Sequence, residues 1–190
     1  MDEIHRKRQR GIRACFAVTA GLGLWCVAIG VVIVPTSPHF QLDAVLTEDQ
    51  LHDEKFREAT LGLRTLDLSL QRVISSPVLR ARQTAELLLD GLKLPASQLE
   101  LNDDLRYDAR IAKTWELIRH LKDSEAVALV GHEPHLSSLI AHLLTGNEHG
   151  CYVEMKKGAC ACIEAPGELK PGQLVLRWLM TQKQMVHLSR

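Results

Sequence analysis

Ala126–Leu136, AVALVGHEPHL, and Val73–Glu86, VISSPVLRARQTAE, decide how this chain is read. Each is a short apolar strand that breaks directly into a helix start. Each also places one phosphate-competent side chain at the break: His132 in the first segment and Arg80 in the second. In open α/β sheets such breaks are where ligands bind, because helix N-terminal N–H groups and the ends of several strands converge there.

Working outward, strands and helices alternate. Leu46–Glu48 leads into a helix whose apolar positions Phe56, Ala59, Leu63 and Leu66 follow a spacing of three and four. The strand Arg72–Ile74 comes next. Ser75 and Ser76 can cap the helix after it, with Pro77 in its first turn, where a missing N–H costs nothing. That helix turns Leu79, Ala85, Leu88 and Leu89 inward and runs to about Gly91. A helix around Ile111, Trp115, Ile118 and Leu121 precedes the strand Ala126–Val130. Pro134–Leu144 is helical again, with Leu136, Leu139, Ile140 and Leu143 on its apolar side. The tail reads as strands at Tyr152–Met155, Cys160–Ala165 and Leu174–Met180. Turns at Pro166-Gly167 and Pro171-Gly172 set the last two up to pair antiparallel.

With 190 residues the chain holds one α/β domain and a short extension. Lys and Arg together number 23 and Asp and Glu number 23, so no global field draws nucleic acid, and nucleic acid is not an expected partner. The five cysteines are odd in number and include no Cys-x-x-Cys; they read as reduced and structural, Cys160 and Cys162 sharing a strand face.

The N-terminus breaks this balance. Arg6, Lys7, Arg8, Arg10 and Arg13 face only Asp2 and Glu3, and residues 14–34 carry no charge. As a helix that run would reach about 31 Å, the thickness of a bilayer core. It exceeds a signal-peptide core of about 7–15 residues, and no Ala-x-Ala site follows it. The expectation is therefore a single-pass membrane protein, residues 1–34 forming a basic flank and anchor and residues 35–190 the domain. The basic flank would hold the N-terminus in the cytoplasm and send the domain across. The competing reading makes Val31–Val34 the first strand of a buried parallel sheet, since such strands are also continuously apolar, and leaves the protein cytoplasmic.

Arg80 falls in the first turn of its helix, where a guanidinium can grip phosphate oxygens in a fork while the helix dipole and the Ser75 and Ser76 hydroxyls add to it. Arg82, two residues on, points elsewhere. His132 ends a central strand, with Gly131 allowing a tight turn and Pro134 starting the next helix. His132, Glu133, His135, His142 and His149 crowd into eighteen residues, which raises a metal site. The zinc-protease pattern needs its histidines four apart on one helical face; His132 and His135 are three apart with Pro134 between them, so no metal is expected.

From about Leu46 to Leu188, three quarters of the chain, the sequence resembles the SixA-type phosphohistidine phosphatases of the histidine phosphatase superfamily. The resemblance rests on LTED before a helix, ISSPVLRARQTAE, VALVGHEPHLSSL, MKKGACACIE and LVLRWLMTQKQM, in that order and at that spacing. It implies a three-layer α/β sandwich with a central, mostly parallel sheet. It also implies hydrolysis of phosphohistidine on a protein partner without metal or other cofactor. Arg80 and His132 would hold the phosphoryl oxygens, with Ser76 beside them. In that family an Arg-His-Gly at the end of the first strand supplies the attacking histidine, and phosphoryl transfer through it is covalent.

No Arg-His-Gly occurs in this chain. Where it belongs, after the apolar Val31–Val34, stand Pro35, Thr36 and Ser37; His39 is the nearest substitute nucleophile, flanked by Pro38 and followed by no glycine. Three explanations stay open. An active phosphatase has had its encoded N-terminus replaced or frame-shifted; a pseudoenzyme binds phosphate or phosphohistidine through Arg80 and His132 without hydrolysing it; or a membrane-anchored interaction domain retains the motif residues only to hold the fold.

Overall fold

The computed structural model describes residues 29–32, 50–66, 68, 70–121, 126–156 and 158–190. Four strands form the central sheet: β1 (Ile29–Val32), β2 (Arg72–Ser75), β3 (Leu99–Leu101) and β4 (Val127–His132), in the order β1-β4-β2-β3. β2 pairs parallel with both β3 and β4, and β1 runs antiparallel to β4. β4 is buried along its whole length, as expected of a strand covered on both faces.

Helices supply those covers. α1 (Gln50–Arg64) packs on α2 (Leu79–Leu92), and α2 lies against the strands of the sheet. Phe56, Ala59 and Leu63 of α1 and Ala81, Ala85 and Leu88 of α2 are fully buried, the spacing of three and four having put them on one side. On the other layer α3 (Ile111–Arg119) packs on α4 (His135–Thr145), which lies against β1 and β4 through Leu136, Leu139, Ile140 and Leu143. The result is an α/β sandwich with a mostly parallel central sheet. A hairpin of β5 (Cys160–Glu164) and β6 (Val175–Met180) pairs antiparallel beside β1, with Cys160 and Cys162 buried in it. The closing helix α5 (Gln182–Leu188) opens on a Thr181–Gln184 capping box. It packs so tightly on α1 that a Cβ on Gly62 would lie 1.8 Å from the Met185 carbonyl oxygen.

The membrane expectation fails here. Four residues of the apolar run, Ile29–Val32, are strand β1 hydrogen-bonded to β4, and residues 14–28 ahead of them fall short of the roughly 20 a span needs. Among the described residues no helix is long and apolar enough to cross a membrane. The single-pass placement and the membrane contact through residues 14–34 are therefore withdrawn. Part of the run is instead strand β1, and strands of a layered sheet are also continuously apolar.

Three local expectations also change. Tyr152–Met155 forms no strand, and Tyr152 is fully exposed. Leu79, expected inside, is exposed at the tip of α2. That helix starts two residues later than expected: Val78 is its N-cap, without a side-chain cap, and Pro77 lies outside it.

Candidate functional site

The register of β2 on β4 sets the site. Ser75 stands beside Val130, and the Ser76 N–H donates to the Val130 carbonyl at 2.7 Å. His132 ends β4 two residues beyond Val130, while Arg80 is the second residue of α2, five residues beyond Ser75. Because β2 and β4 are parallel neighbours, both residues leave the sheet at the same carboxyl edge, at the N-terminus of α2. Arg80 is exposed there and His132 is fully buried.

Ser75 and Ser76 are buried rather than capping. The Ser75 hydroxyl donates to the Ser76 carbonyl at 2.9 Å, and Ser76 Oγ accepts from the Val78 N–H at 3.4 Å. Arg82 turns away, its Nε donating to Glu86 at 2.7 Å beside a cavity of about 560 Å³ between α2 and β3. Pro35, Thr36, Ser37 and the candidate nucleophile His39 lie outside the described residues.

A loop after β3 reaches over this edge. The Asn102 N–H donates to the Ser75 carbonyl at 2.8 Å, and the Asn102 side chain accepts from the Asp104 N–H at 2.8 Å, capping the short turn Asp103–Leu105. The Leu105 carbonyl then settles on Gly131, where a Cβ would come within 2.9 Å of it and 3.3 Å of Leu136. Gly131 thus serves a close backbone approach inside β4, not the tight turn its neighbourhood suggested. Beyond Leu105 the loop lays Tyr107 edge-on against His132, with ring centroids 6.3 Å apart and planes at 90°. Sequence reasoning missed Tyr107; an aromatic stranded in the charged stretch NDDLRYDAR was the available signal.

His135 fastens the far end of that loop. It is buried, with Nδ1 3.1 Å from the Ala109 carbonyl and Nε2 2.8 Å from Thr114 Oγ1, itself 2.6 Å from the Asp104 carbonyl. Burial holds its pKa below the ordinary histidine value, against the Ala109 hydrogen bond and the charges of Glu148, Asp104 and Asp108. The neutral ring donates from Nδ1 to Ala109, which leaves Nε2 an acceptor beside the single hydroxyl proton that Thr114 directs to the Asp104 carbonyl. Glu133 accepts from the Ser137 backbone N–H at 2.9 Å and from the Ser137 hydroxyl. Burial outweighs both bonds and pushes its carboxyl up to about 7.

The histidine-rich stretch does not converge. His142 packs on Trp115 with centroids 6.1 Å apart, and His149 is exposed beside Glu148. Among the described residues no three His, Cys, Asp or Glu side chains are placed to share a metal ion.

Three solved structures share this architecture. The protein histidine phosphatase SixA complexed with tungstate superposes with a TM-score of 0.62 at 22% identity, over 82% of this chain and 99% of that one. The chain has the SixA-type histidine phosphatase fold. A candidate phosphohistidine phosphatase SixA from Agrobacterium tumefaciens gives 0.57 at 14% identity, over 90% and 99% of the two chains. A third SixA-type protein, from Nakamurella multipartitia, gives 0.54 at 15%, over 85% and 97%. No family model and no curated protein matches the sequence. The SixA-type fold places both strand-to-helix breaks of the sequence on one edge of its sheet.

Proposed function

We infer that this chain binds the phosphoryl group of a phosphohistidine carried by a protein partner, and that as encoded it does not hydrolyse it. The observation that carries this reading is the shared carboxyl edge: His132 ends β4, and Arg80 opens the helix after the adjacent parallel strand β2. A guanidinium at a helix N-terminus offers two parallel N–H donors together with first-turn backbone N–H groups, and an imidazole N–H adds a third direction. Ser76 helps by holding the β2–α2 turn in place. The SixA-type fold supports the phosphohistidine assignment. An imidazole nitrogen also leaves phosphorus with less help from a general acid than an alkoxide does, and the short chain has no large insertion to close over a small substrate.

Hydrolysis needs an in-line nucleophile. Arg-His-Gly is missing from the sequence, and a hydroxyl at Thr36 has no evident base, which leaves His39, the histidine nearest after the apolar run, as the substitute candidate.

Calorimetric titration of the full chain with inorganic phosphate tests the site. Arg80→Ala and His132→Ala should each weaken binding at least tenfold. Equal affinity in both variants would remove the phosphoryl site. Incubation with a phosphohistidine protein should release no phosphate; turnover that disappears in His39→Ala would instead establish an active enzyme with His39 as nucleophile.

A further inference from the structure

We propose that Tyr107 is the specificity-determining residue of this site, the surface on which the imidazole of the bound phosphohistidine rests. The proposal depends on the phosphoryl site at Arg80 and His132 being real. Three observations lead to it. Tyr107 packs edge-on against His132, yet it keeps 52% of its own surface open. The same side chain lines a cleft of about 440 Å³ whose other walls include Arg110, Pro134, His135, Ser138 and Glu148. Two of those residues, Pro134 and His135, follow His132 in the chain by two and three positions, which puts the cleft close to His132. Finally, the loop bearing Tyr107 is pinned at both ends. Asn102 ties it to β2, and His135 ties it to α4 through the Ala109 carbonyl and Thr114. Such anchoring holds the ring at a set distance from His132, as a recognition surface requires and a solvated surface tyrosine does not.

The chemistry fits a flat, aromatic leaving group. With phosphorus held at the Arg80–His132 edge, the substituent on that phosphorus projects past Tyr107 into the cleft. A tyrosine offers an imidazole the offset or edge-on contact that aromatic pairs prefer, worth roughly 1 kcal/mol beyond the area it buries. It offers the methylene of a phosphoserine much less. The cleft volume accommodates the residues flanking the phosphohistidine, and the opposite charges of Arg110 and Glu148 on its walls suit a polypeptide backbone rather than a strongly charged ligand.

The test compares two probes on the full chain by calorimetry: inorganic phosphate, and a short peptide bearing phosphoryltriazolylalanine, a stable isostere of phosphohistidine. The wild-type protein should prefer the peptide. In Tyr107→Ala the ratio of peptide affinity to phosphate affinity should fall roughly three- to tenfold, and Tyr107→Phe should restore it. A second variant, Ser138→Trp, fills the cleft from the α4 side and should lower the same ratio. An unchanged ratio in Tyr107→Ala, or a Tyr107→Phe variant as poor as the alanine, overturns the proposal. A wild-type protein that binds phosphate but no better binds the peptide also overturns it while leaving the phosphoryl site standing. Absence of phosphate binding in the wild type removes both.

Discussion

Ile29 stands directly opposite His132 in the antiparallel pair of β1 and β4. β1 therefore begins at the edge that carries His132 and runs away from it. Val32 lies beside Leu129, three residues back along β4 and about 10 Å from that edge. In the expected arrangement the first strand would end at the phosphate edge and deliver its following residues to phosphorus; here the chain leaves β1 from the other end.

Grafting the missing motif should consequently fail. Changing Pro35, Thr36 and Ser37 to Arg, His and Gly is expected to produce no phosphohistidine phosphatase activity, measured as phosphate released from a phosphohistidine protein with the native chain alongside. Activity gained by the graft would show that β1 reverses its direction in the working protein.

Glu133 gives stability a distinctive pH dependence. Its folded-state pKa, about 7, lies above the ordinary 4.5 because burial disfavours the carboxylate. The folded state thus holds the proton more tightly than the unfolded one. This contribution is complete below about pH 4.5 and is lost as pH rises toward 7. Glu133→Gln keeps an acceptor for the Ser137 N–H and removes the charge. Its stability relative to wild type in urea melts should improve by about 2 kcal/mol between pH 5 and pH 8; a constant difference would refute the assignment.

His135 works in the opposite direction. Burial lowers its pKa, so its contribution is complete above the ordinary value of 6.5 and is lost as pH falls below it. His135→Gln should flatten that acid limb. Thr114→Val deletes the hydroxyl that donates to the Asp104 carbonyl and lies 2.8 Å from His135 Nε2, and should cost about 1–3 kcal/mol at pH 7.5, since a buried acceptor loses its donor. Urea midpoints measured across the pH range check both.

Gly131→Ala should cost about 1–3 kcal/mol through overpacking, because the new Cβ meets the Leu105 carbonyl at 2.9 Å. The strain falls on the loop that carries Tyr107. The protons of the His132 ring, whose centroid lies 6.3 Å from that of Tyr107, should therefore shift in NMR spectra more than those of His187 on α5.

Much of this architecture was legible in the chain. The spacing of Phe56, Ala59 and Leu63 and of Leu136, Leu139, Ile140 and Leu143 reported which side of each helix is buried, because a helix repeats every 3.6 residues whatever it packs against. The breaks at Ser76 and His132, which the structure brings to one sheet edge, were visible for the same local reason. The apolar run misled because composition cannot distinguish a membrane from a sheet interior: both exclude water, and only the hydrogen bonds between Ile29–Val32 and β4 decide between them. The segment Tyr152–Met155 has strand-like residues but pairs with no strand among the described residues, and pairing is a property of two segments.

The sequence by itself determined the alternating α/β order, the helix faces and the placement of Arg80 and His132 at strand-to-helix breaks, since these follow from local periodicity and turn chemistry. Only the tertiary structure decided that β2 and β4 are neighbours, so that the two breaks share one edge, that β1 is reversed, and that Tyr107 closes on His132 through a loop tied down by Asn102 and His135. Those are contacts between residues far apart in the chain, and they are chosen by the burial and hydrogen bonding of the whole sheet rather than by any one stretch of sequence.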